Sequence, residues 1–218
     1  MIVVSDMMGT LTTGSPVLGL VDWVRHNQSK WQARLYMVSI TPSYFMAKRG
    51  WIDWQEWGQG LMIKSLSMVK GATPEKMALV GEWAVEHDLW KKRRPDVIAR
   101  LVEHRQQEAD VYIASSVVEP LIAPFAQRIG ARTIGTPVEY MDGRVRVAGG
   151  LVAQERKIEQ VLSRLGVDGV DVAYGDTWMD IPLLEHARHP IAVYPDPRLK
   201  AAALERGWEI MGGSQSYP

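Results

Sequence analysis

Two stretches of the chain bring together residue types that can do chemistry. Gly175-Asp176-Thr177-Trp178-Met179-Asp180 follows the apolar run Val170 to Tyr174, so two carboxylates four residues apart stand where a buried strand gives way to a helix. Both can face one divalent cation, because a few hard oxygen ligands, with water and a substrate phosphate completing the shell, suit Mg²⁺. The same pair also suits an N-cap that does no more than stabilise the helix start. Asp6-Met7-Met8-Gly9-Thr10-Leu11 follows the β-branched run Ile2-Val3-Val4 and sets a third carboxylate at a strand end. Taken alone, an Asp there is as readily a cap or turn former.

Positioning such groups is the work of an α/β sheet. Ile2 to Val4, Asp110 to Ser115, Arg132 to Gly135, Val170 to Tyr174, Pro190 to Tyr194 and Trp208 to Met211 read as strands, and Asp142-Gly143 reads as a hairpin turn. Helical segments alternate with them at 94–108, 118–130, 153–165, up to His186, and 197–205. The pattern predicts a Rossmann-like, mostly parallel sheet with helices on both faces. Ligands in such sheets sit outside the carboxyl ends of the strands, near a topological switch point. Asp6, Ser115 and Asp176 stand at three such ends. From Ser15 to about Lys92 the pattern is helical throughout, with start signals at Pro16 and at Thr73-Pro74-Glu75. The expected organisation is an α/β core of 1–12 and 94–212, an inserted helical cap of 13–93, and a loose tail of 213–218.

In order along the chain these residues resemble a family, the haloacid dehalogenase-like (HAD) phosphohydrolases, and within it the branch around phosphoserine phosphatase. Asp6 to Thr12 is similar to the family's first motif, Ser115 with Glu119-Pro120-Leu121 to the second, Lys157 to the third and Gly175 to Asp180 to the fourth. Tyr194-Pro195-Asp196-Pro197-Arg198-Leu199, followed by Arg206-Gly207-Trp208, is similar to the end of that branch. The resemblance implies a Mg²⁺-dependent enzyme acting on a small phosphorylated metabolite through an aspartyl-phosphate. Asp6 is then the nucleophile. Mg²⁺ is held by Asp6, the Met8 backbone carbonyl and Asp176, with Asp180 completing or orienting the shell. Lys157 and Ser115 donate to the phosphoryl oxygens, and Thr10 and Ser116 join them in holding the substrate.

Met8 departs from the family pattern. That position normally carries a second Asp, which protonates the leaving alcohol and later takes a proton from the attacking water. Methionine has no proton to give, and general acid/base catalysis contributes a factor of about 10²–10⁴. The resemblance then leaves a substrate whose leaving group needs no proton, such as an acyl or aryl phosphate, or an acid borrowed from the cap. It also leaves a competing class, a non-catalytic phosphoester-binding or regulatory protein. Relatives that lack this Asp include enzymes that cleave carbon–phosphorus bonds with a cap lysine, and metal-free dehalogenases. Asp176 and Asp180 speak against the latter, and Lys30, Lys48, Lys64, Lys70 and Lys76 are the routine lysines of surface helices.

The remaining features bound the reading. The 25 basic and 25 acidic residues cancel, so no net field attracts nucleic acid or anionic lipid. There is no cysteine for disulfides, thiolate metal sites or thiol catalysis. Met1 to Ser5 carry no signal-like stretch, and a cytoplasmic protein with no membrane partner is expected. Of nine tryptophans, seven fall in the helical insert, where they either wall a flat substrate or pack the insert's own core. Trp51, Trp54 and Trp57, three apart, suit one buried helix face. Trp178 either lines the site entrance or packs on the next helix. Lys91-Lys92-Arg93-Arg94 reads as a solvated junction in preference to a patch that draws an anionic substrate toward the cleft, and His186 and His189 are the one histidine pair spaced to share a metal.

Overall fold

The structure, a computed structural model, describes residues 1–213. Apart from Gly213, the expected tail lies outside the described residues. Six parallel strands form one sheet: β1 (Ile2–Ser5), β2 (Asp110–Val118), β3 (Arg132–Thr136), β6 (Val170–Gly175), β7 (Ala187–Val193) and β8 (Glu209–Met211), in the order β3-β2-β1-β6-β7-β8. Between β3 and β6, β4 (Val138–Met141) and β5 (Arg144–Val147) pair as a separate antiparallel hairpin, turning at Asp142-Gly143 as the sequence predicts. The chain runs outward from β1 on one side and from β6 on the other. The switch point therefore lies between the carboxyl ends of these two strands, where Asp6 and Asp176 follow.

Neighbouring strand residues point to opposite faces, and both faces here are covered. Val3 and Val4 are each fully buried yet belong to different apolar clusters. Under one face, α7 (Glu155–Leu165), α8 (Ile181–Glu185) and α9 (Pro197–Arg206) bring Ile158, Val161, Leu183, Leu184, Leu199 and Ala203. On α7 the apolar residues Ile158, Val161, Leu162 and Leu165 recur at helical spacing, the charged residues Glu155, Arg156, Glu159 and Arg164 face water, and Gly166 ends the helix in the left-handed conformation.

The opposite face meets α5 (Pro95–Gln106), α6 (Glu119–Arg128) and the long helical segment. That segment contains α1 (Pro16–Asn27), α2 (Lys30–Lys48), α3 (Trp54–Leu66), α4 (Pro74–Ala84) and a π-helical turn at Val85–Leu89. Ser15 and Thr73 cap α1 and α4 by accepting from the Leu18 and Lys76 N–H groups, and a proline at the first turn follows each cap. The segment keeps no core of its own: Leu20, Val24, Met77 and Val80 share one cluster with Val111 and Phe125. Glycines permit the close contacts. A Cβ on Gly81 of α4 would lie 2.2 Å from the Pro120 carbonyl oxygen of α6, and the Ala72 N–H donates to the Gly143 carbonyl of the hairpin turn at 2.8 Å.

The element boundaries depart most from the sequence reading at three places. β2 runs past Ser115 to Val118, with a register shift against β3 between those residues. β7 begins at Ala187 and so contains Pro190, which is tolerated because β8 pairs with β7 only from Ile191. The fourth motif leads into a 3₁₀ turn, Trp178–Asp180, before α8. Among the described residues no helix is long and apolar enough to cross a membrane.

Candidate active site

The sheet itself fixes Asp6, because its N–H donates to the Tyr174 carbonyl at 2.9 Å and continues the β1–β6 ladder by one residue. The chain then turns sharply, with the Met7 carbonyl accepting from the Leu11 and Thr12 N–H groups at 2.8 and 3.2 Å. Gly9 has φ +86°, and a Cβ there would fall 1.9 Å from Asp176 Oδ2. Only glycine lets the loop backbone and the Asp176 carboxylate approach this closely. Thr10 Oγ1 donates to Asp176 Oδ1 at 2.9 Å, so the two strand ends are tied to each other.

Asp180 has two duties. Its Oδ2 accepts from the Asp176 and Thr177 N–H groups at 3.2 and 3.3 Å and closes a capping box with Thr177, while its Oδ1 accepts from Lys157 Nζ at 2.6 Å. Gly175 makes room for it, since a Cβ there would lie 2.4 Å from Asp180 Cβ. Cap and ligand are thus compatible readings of one residue. Lys157, near the start of α7, is 4% exposed and donates equally to Asp6 Oδ1, also at 2.6 Å. Carboxylate oxygens of Asp6, Asp176 and Asp180 lie within 4.8 Å of one another, and all three residues are buried.

Burial and neighbouring charge shift both titrating groups at the centre of this cluster. Burial pushes the Asp6 carboxyl up to about 6, against the pull of Lys157 and with the help of Asp180. For Lys157 burial alone would favour the neutral amine, but the Asp180 and Asp6 carboxylates outweigh it and hold the ammonium above its ordinary range. Lys157 bridges two of the three buried carboxylates, Asp6 and Asp180, and the oxygen-only donor set of all three fits a small divalent cation such as Mg²⁺.

A cavity of about 460 Å³ opens over this cluster. Asp6, Lys157 and Asp180 form its floor, and Met8, half-buried, and Ser116 are among its other walls. Ser115 is buried beneath, its hydroxyl accepting from the Val117 N–H at 3.3 Å, and Thr10 is buried against Asp176; neither of the two lines the cavity. Of the two serines expected at the substrate, Ser116 therefore faces the cavity and Ser115 the opposite side, since successive strand residues point to opposite sides. His186 and His189 are exposed and stand apart from the acids.

The helical segment closes the cavity with Trp54, Trp57, Gln59, Leu61 and Met62 of α3. Trp51 does not join them; it precedes the helix and is 70% exposed. Trp178 lies outside the cavity, under the Arg198 guanidinium at 5.4 Å. Arg94, read from sequence as part of a solvated basic junction, instead reaches the site. Its Nε donates to the Gly9 carbonyl at 2.7 Å, its N–H to the Leu11 carbonyl at 2.8 Å, and its guanidinium stacks 3.8 Å from the Tyr194 ring centroid. Its sequence signal was present but ambiguous: an arginine one residue before Pro95 at the return to the sheet.

Comparison with known proteins agrees with this geometry. A phosphoserine phosphatase of Mycobacterium tuberculosis is 27% identical over 154 residues, covering 67% of this chain and 50% of that protein. A histidinol-phosphatase of Neisseria meningitidis is 32% identical over 123 residues, covering 51% and 55%. The chain thus spans about half the length of the curated relatives it matches. Among solved structures, a protein of unknown function from Bordetella pertussis superposes with a TM-score of 0.77 at 23% identity, covering 97% of both chains. A substrate-bound phosphoserine phosphatase superposes with a TM-score of 0.60 at 17% identity, covering 96% of this chain and 91% of that one. These two likenesses share the fold. The profile of the haloacid dehalogenase-like hydrolases matches residues 3–185, the span from the strand before Asp6 to the helix after Asp180, and the chain belongs to that family.

Proposed function

We propose that the chain is a Mg²⁺-dependent phosphohydrolase that removes the phosphoryl group of a small metabolite through an aspartyl-phosphate on Asp6. The observation that carries this reading is the meeting of Asp6, Lys157, Asp176 and Asp180, from three separate chain segments, around one buried point under a cavity. Asp6, Asp176, Asp180 and the Met8 carbonyl would hold the cation. When bound, it supplies the positive charge that lets a carboxylate approach a phosphate dianion. Lys157 fixes one oxygen of Asp6 and leaves Oδ2 to attack, and its ammonium stands where negative charge is held as the phosphoryl group transfers. Ser116, which lines the cavity, is a further donor to that group. Met8 offers no proton, which restricts efficient turnover to leaving groups that depart as stable anions.

The direct test is the Mg²⁺-dependent hydrolysis of acetyl phosphate and p-nitrophenyl phosphate. The expected result is turnover that Asp6→Asn abolishes, with the folded protein retained. The second reading, a phosphoester-binding protein without turnover, is favoured by Met8 alone. It is the better one if the protein binds beryllofluoride with Mg²⁺ yet releases no phosphate from either compound.

A further inference from the structure

The cavity over Asp6 has an unusual balance of walls. Its charged liners, Asp6, Lys157 and Asp180, are already bonded to one another, and every other described residue that lines it is neutral. The helical segment contributes no arginine, lysine or carboxylate to it. What α3 contributes is an aromatic pair, Trp54 and Trp57, with ring centroids 5.1 Å apart. Tyr44 braces both rings at 5.9 Å, and Trp57 Nε1 donates to Ser43 Oγ at 3.0 Å, which satisfies that indole's one polar atom within the protein. The rings are held in place and present apolar faces. Met8, Val17, Met62 and Met179 extend the apolar lining, three of them thioethers suited to contact with an aromatic ring.

A zwitterionic leaving group fits these walls badly, since its ammonium and carboxylate would be desolvated with no opposite charge to meet. An alkyl alcohol of any kind meets the second obstacle, Met8. Its alkoxide, with a pKa near that of water at about 15.7, needs a proton to leave, whereas a phenolate, with a pKa of about 10, departs without one. Both obstacles vanish for the same class of molecule.

We propose that the substrate is an aryl phosphate monoester whose uncharged aromatic ring seats against Trp54 and Trp57, with its ester oxygen beside Met8. The proposal rests on the phosphohydrolase reading above. Asp6 attacks phosphorus as the bond between phosphorus and the aryl oxygen breaks; the electron pair leaves on the phenolate, which takes its proton from solvent. Water then attacks the phosphorus of the aspartyl-phosphate, the bond to Asp6 breaks, and inorganic phosphate leaves. One water is consumed and no redox partner is needed.

The test compares initial rates with Mg²⁺ on 1-naphthyl phosphate, phenyl phosphate, acetyl phosphate and phosphoserine. Expected is a kcat/KM for 1-naphthyl phosphate at least about 100-fold above that for phosphoserine, and about tenfold above phenyl phosphate because more ring is stacked. Trp57→Ala should lower the ratio of kcat/KM on 1-naphthyl phosphate to that on acetyl phosphate by about tenfold, chiefly through KM, and Trp57→Phe should restore most of it. As a measurement on the unaltered protein, 1-naphthylphosphonate should quench tryptophan emission saturably and inhibit competitively. If acetyl phosphate is turned over but phosphoserine is preferred to the aryl esters, or the phosphonate neither quenches nor inhibits, this proposal falls and the phosphohydrolase reading stands. If none of the four compounds releases phosphate or labels Asp6, the reading beneath it falls too and takes the proposal with it.

Discussion

Met8 and Gly9 are adjacent residues with opposite sensitivities. Met8 lines the cavity with a side chain that has no proton to move, so Met8→Asp is expected to raise steady-state turnover of alkyl phosphates by about 10²–10⁴, measured as phosphate release. In the unaltered protein unassisted attack of water on the aspartyl-phosphate should be the slow step, so a stopped-flow trace with an aryl phosphate should show a burst of phenol that Met8→Asp removes. Gly9 tolerates nothing larger. At φ +86°, with Asp176 Oδ2 only 1.9 Å from where a Cβ would stand, Gly9→Ala should cost about 1–3 kcal/mol of stability and weaken Mg²⁺ binding, read by thermal melts with and without the ion. At this scale the sequence was informative about order and blind to orientation. The order of Asp6, Lys157, Asp176 and Asp180 predicted residues that do meet, whereas which of the two expected serines, Ser115 and Ser116, faces the cavity turns on how far β2 extends. Arg94 was hidden because its partner Tyr194 lies 100 positions away, and nothing local announces the stack.

The elements were the most legible level. Apolar β-branched runs ending in small or acidic residues marked β1, β2 and β6, since a strand buried on both faces leaves no other composition open. Serine or threonine followed by proline marked α1 and α4. The aromatic helix was harder. Residues three apart share a helix face only where a helix exists, and α3 starts at Trp54, which leaves Trp51 outside and exposed. Element packing makes its own prediction. Gly81 lets α4 lie on the α6 backbone, and Gly81→Ala would put a Cβ 2.2 Å from the Pro120 carbonyl. Forcing the helices apart should cost about 1–3 kcal/mol, measured by chemical denaturation, with KM for an aryl phosphate rising as α1, which packs on both α4 and α3, passes the shift to the cavity.

For the molecule as a whole, stability and metal binding are linked through Asp6. Burial raises its carboxyl from 3.8 to about 6, so between these values the folded protein without metal holds a proton that the unfolded chain has lost. This group therefore makes the metal-free protein less stable as pH rises from about 4 to 6. Mg²⁺ must displace the same proton, so the gain in Tm on adding Mg²⁺ should be small at pH 5 and larger at pH 7.5. A gain that shrinks as pH rises would count against Asp6 as a ligand.

The roof of the cavity is fastened at two separate corners, by Gly81 against Pro120 and by Ala72 to the hairpin turn at Gly143. A roof so pinned resists swinging away as a clamshell, and α3 is held as well, packed on β2 and β5. What reaches Asp6 then enters a cleft of about 460 Å³ whose roof does not move aside, a space that suits a small metabolite.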